Sequence, residues 1–213
     1  MDKNSSLKMF MNIFVGSNEQ ELYDTFDKIT SFVQKERKQI FFFEEQEGEN
    51  VYFLTSGMVK LYKTNEEGKE AIIHFVRPGE LFAEILLYLR NRYPVTAVAT
   101  ENSTALTINS KKLFDIVKQK PEISMKLIGT LAQRIKYFVN MVENLTLADA
   151  QKRFLNYLKN LSAKKNSSTF TLPTSKSDVA LLLGVAPETF SRLLKKMSDE
   201  GLLKVDGKDI TLL

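Results

Sequence analysis

Glu188, Ser191 and Arg192 stand at spacing i, i+3 and i+4 within LLLGVAPETFSRLLKKM, residues 181–197. On a helix the three share one face. An arginine there suits bidentate bonding to guanine O6 and N7, a glutamate can accept from a cytosine N4 amine, and a serine adapts to either partner. The competing account is a solvated i,i+4 ion pair worth about 0.3 kcal/mol. It explains the two charges but not their place on the one face that projects. Covalent and metal chemistry has far less to work with, because the chain has no cysteine and one histidine, His74. Disulfides, thiolate zinc sites and cysteine-ligated iron–sulfur clusters are therefore excluded. No nucleophile–histidine array or metal motif is present in the sequence, and the chain is read as no enzyme.

To hold that face outward, two helices must meet at a sharp corner. Ala180 supplies a small residue for their crossing and Gly184 a flexible one for the turn. Val179, Leu183, Val185, Phe190 and Leu193 then fall where a helix-turn-helix buries its apolar positions. Pro187 fits the first turn of the second helix, where its missing N–H costs nothing, while Ala186 is a weak cap. Upstream, Ser175 and Asp178 form a capping box, preceded by a short apolar strand with Phe170 and Leu172. DAQKRFLNYLKNL (149–161) reads as a helix and SAKKNSS (162–168) as a polar, flexible loop. Downstream, EGLLKVDGKDITLL (200–213) gives two strands about the Asp206-Gly207 turn pair. A helix-turn-helix followed by a hairpin is a winged helix, whose second helix enters the major groove.

The rest of the chain has another rhythm. Leu22, Phe26, Ile29, Phe32 and Val33 predict a helix over residues 17–35, capped by Ser17 with Gln20 three residues later. From Gln39 to Leu113 come β-branched and aromatic runs: QIFFF, NVYFLT, MVKLYKT, EAIIHFV, VTAVAT and TALTI. Glycines at 48, 57, 68 and 79 punctuate them, with turns at NEEG (65–68) and RPGE (77–80). Such spacing predicts an all-β barrel or sandwich. A helix can begin at Pro121, and Ile128, Leu131, Ile135, Phe138, Val142 and Leu145 continue it in heptad steps of 3, 4, 3, 4, 3. β-Branched residues at the first heptad position favour a parallel two-stranded coiled coil; the alternative is an amphipathic helix lying on its own β domain.

Charge is unevenly placed. Residues 146–213 hold eleven Lys and Arg against seven Asp and Glu, and residues 1–145 hold nineteen of each, so the whole +4 excess lies around the projecting face. That is the sign expected of a surface facing phosphates. No apolar run approaches the ~20 residues of a membrane span. MDKNSSLKMF lacks the charged-then-apolar layout of a secretory signal. A cytoplasmic location with no membrane partner is expected.

The order β-roll, long helix, winged helix resembles the Crp/Fnr family of bacterial transcription regulators over nearly the whole chain. The carrying residues are VYFLTSGMVKLYK (51–63), Gly68-Lys69-Glu70, Pro78-Gly79-Glu80, Glu84, the helix ending in Asn144-Leu145, and Glu188-Thr-Phe-Ser191-Arg192. The resemblance implies an α+β chain with three parts. These are an effector-sensing, jelly-roll-like antiparallel β-roll (1–112), a dimerisation helix (113–145) and a winged-helix DNA-binding domain (146–213). It also implies a homodimer on a palindromic double-stranded DNA operator, contact with RNA polymerase as an activator makes, with the 162–168 loop as its place, and an effector in the roll. The E-T-x-S-R pattern is similar to the Fnr branch, which reads a TTGAT–ATCAA palindrome. By family position Glu188, Ser191 and Arg192 meet bases, while Lys176, Thr189 and the wing's Gly207-Lys208 meet phosphates.

The departures bear on the effector, whose pocket by the same resemblance includes Glu84, Pro94, Val95, Phe138 and Val139. Cyclic-AMP binders carry an Arg-Ser pair for the phosphate; RNRYPVTAVA (90–99) puts Pro94-Val95 there. Glu84 remains for a ribose, but the preceding glycine is Ala83, and the adenine-contacting Thr-Ser pair becomes Phe138-Val139. A buried phosphate without its guanidinium is strongly disfavoured, so no cyclic-AMP response is expected unless Arg92 compensates. Lacking cysteines, the chain is also closed to an Fnr-type iron–sulfur mechanism. An apolar small-molecule effector remains, with Phe75, Phe82 and Tyr88 as further lining. The alternatives are haem-based nitric-oxide sensing through His74, a protein already in its DNA-binding form, and a roll acting as a regulatory protein-interaction module. The projecting Glu/Ser/Arg face argues against the last.

Overall fold

The computed structural model describes residues 2–16, 19–88, 92–147 and 149–213. The Ser17 cap and the Arg90-Asn91 part of the 90–99 stretch fall outside them, as does the side chain of Leu145. The chain divides into two compact units, Met1–Gln133 and Arg134–Leu213.

The first unit is an antiparallel β-roll. Its strands are β1 (Thr30–Lys35), β2 (Ile40–Phe42), β3 (Asn50–Ser56), β4 (Val59–Thr64), β5 (Glu70–Val76), β6 (Leu81–Phe82), β7 (Thr96–Ala99) and β8 (Ser103–Asn109). They form two four-stranded sheets, in the orders β1-β8-β3-β6 and β2-β7-β4-β5. Every run expected as a strand is one, and the NEEG and RPGE turns close as expected, with Gly68 N–H donating to Asn65 O at 2.9 Å and Glu80 N–H to Arg77 O at 3.0 Å. The alternation of side chains assigns the two cores. Tyr52 and Leu54 of β3 point between the sheets, where Phe42, Val59, Leu61, Val76 and Phe82 also lie. Val51 and Phe53 point the other way, onto the helices.

Two expectations about helices are corrected. The helix expected over 17–35 stops at Ile29, as α2 (Gln20–Ile29). Phe32 and Val33 belong instead to β1, opposite Leu106 and Ala105. Apolar residues at 29, 32 and 33 satisfy a helical period, but β-branched Thr30 and Val33 also suit a strand, and pairing with β8 decides between them. Before α2, where the periodicity reading placed nothing, α1 (Lys3–Phe10) runs into a π-helical turn (Met11–Val15) ended by Gly16 at φ +71°. Leu7, Phe10, Met11 and Phe14 are buried there in the helix-side core.

The stretch expected as one helix from 113 is two helices, α3 (Ser110–Gln119) and α4 (Pro121–Leu147). Pro121 cannot continue α3 and begins α4 instead. Within the first unit α4 buries Ile123 and Leu127, with Leu131 partly buried, in the helix-side core. Its open face carries Met125, Ile128, Ile135, Val139 and Val142, each more than half exposed. Ile128, Ile135 and Val142 of the heptad series are exposed, whereas Leu131 packs on its own roll and Phe138 is half-buried.

The second unit contains α5 (Ala150–Lys165), β9 (Thr169–Thr171), α6 (Lys176–Leu182), α7 (Pro187–Asp199), β10 (Leu203–Asp206) and β11 (Asp209–Leu212). Helix α5 runs four residues past 161, so the loop expected over 162–168 shrinks to a turn at Asn166, whose φ is +49°. The three strands form a sheet in the order β10-β11-β9. No helix among the described residues is long and apolar enough to cross a membrane.

Candidate nucleic-acid interface

The corner between α6 and α7 is closed by its backbone. Val185 N–H donates to Ala180 O at 2.9 Å and Gly184 N–H to Leu181 O at 3.1 Å. Gly184 sits at φ +64°. This is a Schellman closure, which needs a left-handed residue just past the helix and an apolar residue after it; Gly184 and buried Val185 meet both demands. Helix α6 starts at Ser175, whose Oγ accepts from Asp178 N–H at 3.0 Å, while the Thr174 and Ser175 hydroxyls each donate to Asp178 Oδ2 at 2.8 Å. The capping box is present in this form.

Helix α7 buries Phe190, Leu194 and Met197. Phe190 meets Phe154 of α5 edge to face, with ring centroids 4.8 Å apart. Leu193, expected in the core, is only partly buried; Leu194 takes its place, because 190, 194 and 197 keep the i, i+4, i+7 stripe that Phe190 begins. On the opposite face Glu188, Thr189, Ser191, Arg192 and Lys195 are all exposed. Among the described residues neither Glu188 nor Arg192 has an ion-pair partner, so the i,i+4 salt bridge is not formed. The Ser191 hydroxyl donates to Pro187 O at 3.0 Å. Lys195, one turn beyond Ser191 and Arg192, extends the same stripe. Its spacing from Glu188 already carried that signal, which the sequence reading passed over.

Lys176 is half-buried in the first turn of α6, and Lys208 is exposed in the wing. The hairpin pairs Leu203 with Leu212 and Asp206 with Asp209. Its loop is thus Gly207-Lys208, one residue beyond the Asp206-Gly207 pair expected. Gly207 takes φ +55° with open space where a Cβ would stand.

The residues named for an effector fall differently. Glu84 is buried at the start of a 3-10 turn (Glu84–Leu87), and Ala83 before it is held at φ +63°. Pro94 and Val95 are half-buried, Phe138 is half-buried and Val139 exposed. Arg92 points outward, donating to Glu47 Oε1 at 3.0 Å and to Glu45 O at 3.1 Å. Tyr88 is exposed against Phe114. Missing from the sequence reading are Phe42, Tyr52 and Tyr93, which surround Phe82 inside the roll. Burial, then Tyr93 beside it, holds the Tyr52 hydroxyl well above the ordinary tyrosine range. His74 on β5 has its Nε2 2.9 Å from Glu80 Oε2.

Residues 32–120 match the family model for the cyclic nucleotide-binding domain, and residues 152–213 that for the Crp-like helix-turn-helix domain. The chain is 28% identical over 204 residues to the anaerobic regulatory protein of Pasteurella multocida, covering 92% of this chain and 73% of that one. It is 25% identical over 172 residues to the cAMP-activated global transcriptional regulator CRP of Salmonella typhimurium, covering 78% and 82%. The fold matches the c-di-GMP responsive global regulator CLP of Xanthomonas campestris with TM-score 0.79 at 20% identity, over 91% of this chain and 99% of that one. A β-roll and a winged helix that match these two models one after the other leave a single reading: the chain belongs to the Crp/Fnr family of transcription regulators and carries that family's DNA-binding helix-turn-helix.

Proposed function

We propose that this regulator is a homodimer reading a TTGAT/ATCAA-type palindrome, with RNA polymerase as its second partner and with control that does not run through cyclic AMP. The observation that carries the reading is the outer face of α7, where Glu188 and Arg192 are exposed, one helical turn apart and unpaired among the described residues. Charges left without an internal partner are free to bond base edges. Ser191 and Lys195 lie on the same stripe, and Lys176, Thr189 and Lys208 are the candidates for phosphates. The open apolar stripe of α4 supports a second copy as its cover. Two half-sites one duplex turn apart, about 34 Å, then fit two α7 helices.

Against cyclic AMP stand Pro94 and Val95 in place of a phosphate-binding pair, together with Arg92, engaged outward with Glu47. Haem has less support, since the Nε2 of the one histidine is engaged by Glu80. Fluorescence anisotropy on a TTGAT–ATCAA duplex tests the reading. Binding that falls by about 1–3 kcal/mol on changing the G·C pair of a half-site is expected; binding blind to that change would refute it.

A further inference from the structure

We infer that Ser191 reads a base amine: it meets DNA as a hydrogen-bond acceptor and selects the adenine that follows the cytosine of an ATCAA half-site. This role rests on the operator reading above and sharpens it. A serine has one hydroxyl proton to give. In Ser191 that proton goes to Pro187 O at 3.0 Å, and because a carbonyl can only accept, it is committed to the helix. The lone pairs of Oγ are left for a partner, on a side chain that is exposed. Helical hydroxyls elsewhere in the chain rest in the same way, Thr25 on Glu21 O at 2.8 Å and Thr130 on Lys126 O at 3.0 Å. Such bonds are the settled local geometry of a hydroxyl turned back along its helix. To donate to a thymine O4 or a guanine N7, Ser191 would first have to release Pro187 O, exchanging one bond for another at little gain. Accepting from an amine adds a bond and gives none up.

The neighbours of Ser191 make the choice of base definite. Glu188 stands at i−3 on the same exposed face, and an ionised carboxylate also only accepts. Arg192 and Lys195, further along, only donate. The outer face of α7 is therefore polarised along its axis, with acceptors at 188 and 191 ahead of donors at 192 and 195. Adenine and cytosine, which carry exocyclic amines, suit the first part of the face, and guanine O6 and N7 suit the second. In TTGAT/ATCAA, a glutamate on the cytosine amine and an arginine on the paired guanine use one base pair from both strands. Residues at i and i+3 stand about 5–6 Å apart on a helix, and bases along one strand about 3.4 Å apart. Ser191 thus falls within reach of the bases on either side of that cytosine. One of them, thymine, has no amine; the other is the adenine.

Double-mutant cycles between side chain and base test this by fluorescence anisotropy on the full-length protein. Each adenine and cytosine, at matching positions of both half-sites, is replaced in turn by the analogue that lacks its exocyclic amine, 2-aminopurine or 2-pyrimidinone. Each thymine is likewise replaced by deoxyuridine, which lacks only the methyl group. Wild type and Ser191→Ala are titrated with every duplex. Removing the amine of the adenine after the cytosine should weaken wild type about fivefold per half-site and leave Ser191→Ala unchanged. Equal weakening of the two proteins by every amine deletion overturns the inference, as does a difference between them that follows a thymine methyl instead. A wild type that binds no TTGAT–ATCAA duplex sinks the operator reading. The same cycles on a duplex selected from random sequence then decide the role of Ser191 separately: coupling to a base amine upholds it, and coupling to none overturns it.

Discussion

Arg192 and Glu188 sit one turn apart on α7 with no ion-pair partner among the described residues, which sets what each substitution should do. Arg192→Ala should cost about 1–3 kcal/mol of operator affinity and relax the choice at one base pair. Lys176→Ala or Lys208→Ala should weaken binding to all sequences alike and reduce the salt slope by about one. Anisotropy titrations over several salt concentrations separate the two patterns. Another single residue governs stability. Gly57 takes φ +83°, and a Cβ there would stand 2.3 Å from Ser103 Oγ and 2.5 Å from Asn102 O. Both the conformation and the space exclude a side chain. Gly57→Ala should therefore destabilise the chain by about 3 kcal/mol or more, read from the urea midpoint.

At the scale of elements, α6 matters because it braces α7. Its N-terminus depends on Ser175 Oγ and on the Asp178 carboxylate that takes the Thr174 and Ser175 hydroxyls. Ser175→Ala should remove about 1 kcal/mol of stability, seen as a lower melting temperature, and should weaken the operator complex with it. The turn before Glu84 gives the opposite sign. Ala83 is held at φ +63°, where an L-residue pays about 1–2 kcal/mol that glycine does not. Part of that gain is offset by the lost burial of its methyl group. Ala83→Gly should stabilise the chain by about 0.5–1 kcal/mol, and a lower melting temperature would show that the methyl packing dominates.

For the whole molecule, the decisive surface is the open face of α4. Met125, Ile128, Ile135, Val139 and Val142 leave an exposed apolar stripe, the kind of surface that marks an interaction site. Ile135→Glu or Val139→Glu should keep the wild-type far-UV circular dichroism, give the mass of a monomer by light scattering, lower the urea unfolding midpoint as the stabilisation from association is lost, and abolish operator binding. An unchanged dimer in both variants would rule this face out as the seam. Gly129 adds to the argument. Mid-helix glycine costs about 1 kcal/mol relative to alanine, and a Cβ there would meet nothing within 4 Å in this chain.

Short-range chemistry alone was enough for the winged helix. Gly184 at the corner, Ser175 and Asp178 at the cap, Pro187 in the first turn and the hairpin about Gly207 are each decided by a few neighbouring residues, as are the strands and turns of the roll. Contacts between distant segments decided the rest. β8 turned Phe32 and Val33 from helix to strand, and the roll drew in Leu131 and so fixed which side of α4 stays open. The stack of Phe42, Tyr52, Phe82 and Tyr93 draws on four separated segments. Periodicity records which face of an element is apolar, but not what comes to lie against it, because that depends on side chains brought together only when the chain closes on itself.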